Sequence, residues 1–212
     1  MLILADMPNS VLKVEKVRGE SISWSGYLER IDQLLLRGLS TGSMQTPELL
    51  DKSKLNRQRM YRISKTAKIP EDISKLFSQI PSEVQFLVIT EGWCGDAAQL
   101  LPYFQLMSES ATSEERVRYV LRDETEYIND FLTNGSKSIP VIVAYDQING
   151  QVISFWGPRP SSFTIWYNAL KKSSTLTKDE LSYQLHARYS QDKGFAFFED
   201  MRAFISEILS KI

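Results

Sequence analysis

Two hydrophobic periods alternate along this chain, and each change of period marks an element. Val84, Phe86, Leu87, Val88 and Ile89 form a short apolar run that reads as a buried strand. Behind it Ala97, Ala98, Leu100, Leu101, Phe104 and Met107 return every three or four positions, the spacing of a helix with one buried face. A strand over 117–121 follows. Next comes a predicted helix over 124–132, closing at Asn134-Gly135, a pair suited to a left-handed cap. Two more apolar runs, 141–145 and 152–156, are separated by Asn149-Gly150, the dipeptide that most favours a tight hairpin. A helix over 161–171 ends the segment, so the predicted order is β-α-β-α-β-β-α.

The flanks carry only the helical period. Trp24, Leu28, Ile31, Leu34, Leu35 and Leu39 recur at helical spacing, and Gly38 with Gly42 marks the end of that run. Thr46-Pro47-Glu48 has the cap, first-turn proline and acidic start of a second helix, predicted to reach Thr66. Pro70 opens a short helix over 71–79. At the other end Thr177 and Glu180 form a capping-box pattern, and Phe195, Phe198, Met201, Ile205 and Leu209 mark a last helix face. Three regions follow: a helical extension over 1–81, an α/β domain over 82–172 and a second helical extension over 173–212.

Cys94, the only cysteine among 212 residues, lies where the first strand of the α/β segment turns into its helix. Unpaired N–H groups and the positive end of the helix dipole favour a thiolate there, and the thiolate is the nucleophile. Asp96 and Glu91 bring negative charge close by and oppose it. Trp93-Cys94-Gly95, Ile139-Pro140 at the start of the 141–145 strand, and the hairpin with its closing helix resemble the thioredoxin superfamily over about 82–172. More narrowly, the run 89–99 containing Trp93-Cys94-Gly95-Asp96-Ala97-Ala98-Gln99, with Ser138-Ile139-Pro140 and Trp156-Gly157-Pro158-Arg159-Pro160, resembles a bacterial, Bacteroidetes-type group of thioredoxin-like proteins.

The resemblance implies a thioredoxin-like α/β fold, a central four-stranded mixed sheet with helices on both faces and helical extensions at each end. It implies that Pro140 is the counterpart of the family's cis-proline and that Trp93, Gly95, Asp96, Ile139 and Pro140 shape a substrate groove beside Cys94. Three parts of the family's dithiol chemistry are replaced. Ala97 stands where the second, resolving cysteine would be, Asp96 where the motif has proline, and Val88 where a buried carboxylate would assist proton transfer.

Composition narrows the remaining chemistry. Lys and Arg total 25 against 26 Asp and Glu, so no global field recruits nucleic acid or an anionic membrane. A single cysteine excludes an internal disulfide and suits a reducing compartment, with cytoplasm as the expected location. The start, 1–8, is briefly apolar without the basic flank of a secretory signal, and no run reaches the roughly 20 apolar residues of a membrane helix. One histidine and one cysteine cannot build a structural zinc site, and no glycine-rich nucleotide fingerprint follows a strand; no metal or cofactor is expected. Asp123, Glu124 and Glu126 read as acids capping a helix.

The basic stretch from Lys52 to Lys68, with Arg57, Arg59 and Arg62, reads as the solvated face of a helix whose Met60, Ile63 and Ala67 are buried. His186 could pair with Cys94 only if the C-terminal segment folds back over it, and reads better as a packing or surface histidine. Trp93, Trp156, Trp166 and Tyr167 are candidates to border the Cys94 cleft, core packing being favoured for Trp156 and Trp166. Besides a nucleic-acid or anion binder that uses the 52–68 helix, two main functions stay open. In one, Cys94 forms mixed disulfides with a protein or low-molecular-weight thiol, released by a thiol from solution. In the other, the domain is a redox-inactive module that holds an extended peptide beside Pro140.

Overall fold

The computed structural model describes residues 10–112 and 115–212. The short apolar start over 1–8 lies outside the described residues. Four helices come first: α1 (Val14–Glu20), α2 (Trp24–Leu36), α3 (Pro47–Thr66) and α4 (Glu71–Phe77). Thr46 caps α3 as its sequence suggests, its hydroxyl accepting from Leu49 N–H at 3.3 Å. Then come β1 (Val84–Thr90), α5 (Gly95–Ala111), β2 (Val117–Leu121), β3 (Val141–Asp146) and β4 (Val152–Trp156). Helices α6 (Ser161–Ser173), α7 (Lys178–Asp192) and α8 (Phe195–Lys211) complete the chain.

The sheet runs β2-β1-β3-β4, with β1 and β2 parallel and the other neighbours antiparallel. This is a thioredoxin-like α/β arrangement. The period of two sends alternate residues of each strand to opposite faces. Phe86 of β1 meets Phe77 of α4, Phe104 of α5 and Phe204 of α8, with ring centroids 5.2, 5.4 and 6.5 Å away. Tyr119 of β2 lies on the same side, stacked on Tyr27 of α2 at 5.5 Å. On the other face Phe155 of β4 packs against Phe131 at 5.2 Å. The flanking helices therefore share one core with the sheet: Tyr27, Phe77, Phe197 and Ile205 are as fully buried as Phe86 and Leu87.

One expected helix is absent. The 124–132 segment forms only two short 3-10 turns, Arg122–Glu124 and Tyr127–Asp130. The Thr125 hydroxyl accepts from Tyr127 N–H at 3.3 Å, a local bond that competes with helical pairing. Asn134 and Gly135 are not a helix cap. Both have positive φ, 49° and 75°, at the tip of a tight turn closed by reciprocal bonds between Thr133 and Ser136. Asp123 and Glu124 tie this segment to the N-terminal region, Glu124 accepting from Arg30 at 2.6 Å and Asp123 from Ser43 N–H at 3.3 Å.

Two glycines permit close backbone approaches at opposite ends of the β3–β4 hairpin. Gly150 has φ 76° in the β3–β4 turn, and a Cβ there would sit 1.9 Å from the Leu12 carbonyl oxygen. Gly157, with φ 147°, follows β4 so closely that a Cβ would lie 2.2 Å from the Pro140 carbonyl oxygen. Both Ile139-Pro140 and Gly157-Pro158 are cis.

Candidate functional site

Cys94 is the N-cap of α5, so the β1–α5 turn presents its sulfur at the helix start. The Ala97 N–H points at Sγ from 3.4 Å, and Sγ donates to the Ile139 carbonyl at 3.2 Å. Only 6% of Cys94 is exposed. Burial pushes its thiol up to about 12, with Asp96 adding to the rise, while the helix-start N–H groups and Arg159 pull the other way. The competition left open between helix dipole and carboxylate is thereby decided by burial.

Asp96 is not a free charge. Arg159 grips it with Nε at 3.0 Å and Nη2 at 2.6 Å, and Tyr189 of α7 donates to Oδ1 at 2.6 Å. The guanidinium also lies 4.6 Å over the Tyr167 ring. Burial and the adjoining Asp96 charge hold the Tyr189 hydroxyl well above its ordinary range. Glu91 is wholly buried beneath the turn, which raises its carboxyl, although Asp123 N–H donates to it at 3.0 Å.

The C-terminal segment does fold back over the site. His186 of α7 lies so close to Gly95 that a Cβ there would be 2.6 Å from the imidazole Cε1. It does not hydrogen-bond Cys94. Its Nε2 is 3.3 Å from Arg59 Nη1, and its Nδ1 is 3.3 Å from the Gln99 carboxamide. Burial, with Arg59 beside it, lowers the imidazole to about 4, so it is neutral at physiological pH and accepts from the guanidinium through Nε2.

Trp93, Cys94, Gly95, Asp96 and Ile139 border one cleft of about 760 Å³, within the size range of small-molecule sites. Pro140, expected to shape the groove, is buried and is not one of the cleft's lining residues. Of the aromatic candidates, Trp93 and Tyr167 line the cleft. Trp156 is core, with its indole N–H donating to Asp200 at 3.0 Å, and Trp166 lies under Arg188.

Sequence reasoning missed most of the charged wall. Lys52, Asn56 and Arg59 of α3 line the cleft together with Arg122, Lys137 and Arg159. Buried Asn56 anchors α3 to the thiol turn by donating to the Gly92 carbonyl at 3.1 Å, and Arg59 donates to Asn56 Oδ1 at 2.9 Å. A signal was present: Lys52, Asn56 and Arg59 recur at four and three residues, one face of a helix. The reading of this basic stretch as a purely solvated face is corrected at those positions, whereas Arg57 pairs with Asp32 and Lys54 with Asp51. Among the described residues no group of three or more His, Cys, Asp or Glu is placed to hold a metal ion, and no helix is long and apolar enough to cross a membrane.

A four-stranded mixed sheet with a cysteine at the β1–α5 turn and a proline beside it defines a thioredoxin-like protein. The chain belongs to the thioredoxin family, whose model matches residues 43–171. No curated protein matches it. Two solved structures are similar in fold. One is an HIV epitope-scaffold protein, at 10% identity and TM-score 0.55, and the other a protein of unknown function from Pseudomonas aeruginosa, at 12% and 0.53. Each alignment covers 93% of this chain and 98% of the other.

Proposed function

We propose that this chain is a thioredoxin-fold ligand-binding protein in which Cys94 is kept as a neutral thiol rather than used as a turnover nucleophile. The observation that carries this reading is the bond from Sγ to the Ile139 carbonyl at 3.2 Å. That bond needs the proton on sulfur, and burial keeps it there. Ala97 in the resolving position points the same way, because nothing in the chain could release a trapped mixed disulfide. The ligand would lie in the cleft bordered by Trp93, Gly95, Asp96 and Ile139, and a single free thiol suits a reducing location such as the cytoplasm.

The test is alkylation of Cys94 by iodoacetamide between pH 6 and 11. The expected rate climbs tenfold per pH unit without a plateau. A plateau near neutrality would overturn the reading.

A second reading is favoured by the Ala97 N–H at 3.4 Å from Sγ and by the positive charge of Arg159, both of which stabilise a thiolate. In it Cys94 attacks an external disulfide, forming one S–S bond and expelling a thiolate from the bond that breaks. A second thiol from solution then releases the adduct.

A further inference from the structure

The cleft beside Cys94 is strongly basic in a chain whose charges nearly cancel. Five of its lining residues are cationic, Lys52, Arg59, Arg122, Lys137 and Arg159, and Asp96 is the one acid among them. His186 adds no charge, being lowered to about 4. Two of the cations are compensated, Arg159 by Asp96 at 2.6 Å and Arg122 by Asp123 at 2.8 Å. Glu48, one turn back, lies within electrostatic range of Lys52.

Among the described residues Arg59 and Lys137 form no ion pair. Arg59 matters most, because it is half-buried and the acceptors it meets are the neutral Asn56 Oδ1 and His186 Nε2. A partly desolvated guanidinium normally meets a carboxylate or phosphate, and its planar fork of donors is built for one. Lys137 stands on the turn held by Asn134 and Gly135, its carbonyl 3.4 Å from Arg122 Nη1. Ser136, Ser138 and Thr164 add hydroxyl donors to the lining.

We propose that this cleft binds a small polyanion, a molecule with at least two carboxylate or phosphate groups, held chiefly by Arg59 and Lys137 with Lys52 at the rim. The cleft volume of about 760 Å³ favours a small molecule. The inference rests on the reading of the cleft as a ligand site, but not on the state of the thiol.

The experiment is calorimetric titration of the full chain, and of a Cys94→Ser variant, with pyrophosphate and with citrate at constant ionic strength. One saturable site is expected in both proteins. Affinity should fall at least about tenfold in Lys137→Ala and in Arg59→Gln, and stay within about twofold in Lys172→Ala, a cation outside the cleft, since charge-assisted bonds are the strong ones. Binding of pyrophosphate alone supports the proposal with phosphate as the ligand chemistry, and binding of citrate alone supports it with carboxylate. No saturable binding of either anion overturns it, as does equal weakening in Lys172→Ala. Failure of the neutral-thiol reading appears instead as a plateau in alkylation, and Cys94→Ser keeps the two apart.

Discussion

The Arg159 guanidinium holds the Asp96 carboxylate through two hydrogen bonds, 3.0 Å from Nε and 2.6 Å from Nη2, across 63 residues of sequence. This pair decides what the charge beside Cys94 can do. Asp96 opposes the thiolate more strongly than Arg159 favours it, and burial outweighs both. Tyr189 closes the same carboxylate from α7, linking the C-terminal helices to the thiol turn.

Removing one half of the pair should expose its effect. Asp96→Asn takes away a negative charge and leaves Arg159 uncompensated beside the sulfur. Cys94 should become more acidic, with a several-fold rise in alkylation rate at pH 9, since each unit of pKa is roughly tenfold in thiolate. The lost ion pair should cost about 3 kcal/mol in urea unfolding. An unchanged alkylation rate in the folded variant would mean that the carboxylate does not act on the thiol.

His186 predicts a pH dependence with a definite sign. Its pKa falls from 6.5 to about 4 on folding, so between those values the unfolded chain binds more protons and stability drops as pH falls. Acidification from pH 7 to 4.5 should remove about 2 kcal/mol through this residue alone. His186→Gln should lose that part of the dependence while the carboxylate part stays. Parallel wild-type and variant curves would refute the assignment.

Gly95 has no room for a side chain. A Cβ would stand 2.6 Å from His186 Cε1 and 2.7 Å from Nε2. Gly95→Ala should destabilise by roughly 1–3 kcal/mol, as overpacking does. The double variant with His186→Ala should recover much of that loss. Additive losses in a double-mutant cycle would show that the two residues do not meet.

In a dithiothreitol-driven insulin-reduction assay the wild-type chain should show no acceleration over the uncatalysed rate. Ala97 is fully buried and donates its N–H to Sγ, so Ala97→Cys sets a second thiol one turn from a sulfur that remains neutral and enclosed. That variant should stay inactive too. Turnover by it would show that Cys94 is accessible and reactive, and would return weight to the mixed-disulfide reading.

Much of the architecture was readable in advance, because strands and helices declare themselves through local period. The Val84–Thr90 strand, the α5 face from Ala97 to Met107, the Thr46 and Thr177 caps and the Asn149-Gly150 hairpin depend on residues within one or two turns of each other. So did the placement of Cys94 at a helix start. The 124–132 segment misled because Tyr127, Ile128 and Phe131 pack against the sheet from short turns, and apolar spacing over so few residues does not separate a turn from a helix.

The order of the elements, the lone thiol and the missing resolving cysteine are legible along the chain. How that thiol behaves and what surrounds it follow from contacts between distant segments. His186 and Tyr189 of α7 lie against Gly95 and Asp96 at the start of α5, and the charge beside Cys94 depends on Arg159 reaching back to Asp96. The basic wall needs α3 held by the Asn56–Gly92 bond. The physical reason is range. Periodicity and caps act over a few residues, whereas desolvation and charge pairing act through space, between groups that the chain separates by 36 residues for Asn56 and Gly92, 87 for Gln99 and His186, and 127 for Arg59 and His186.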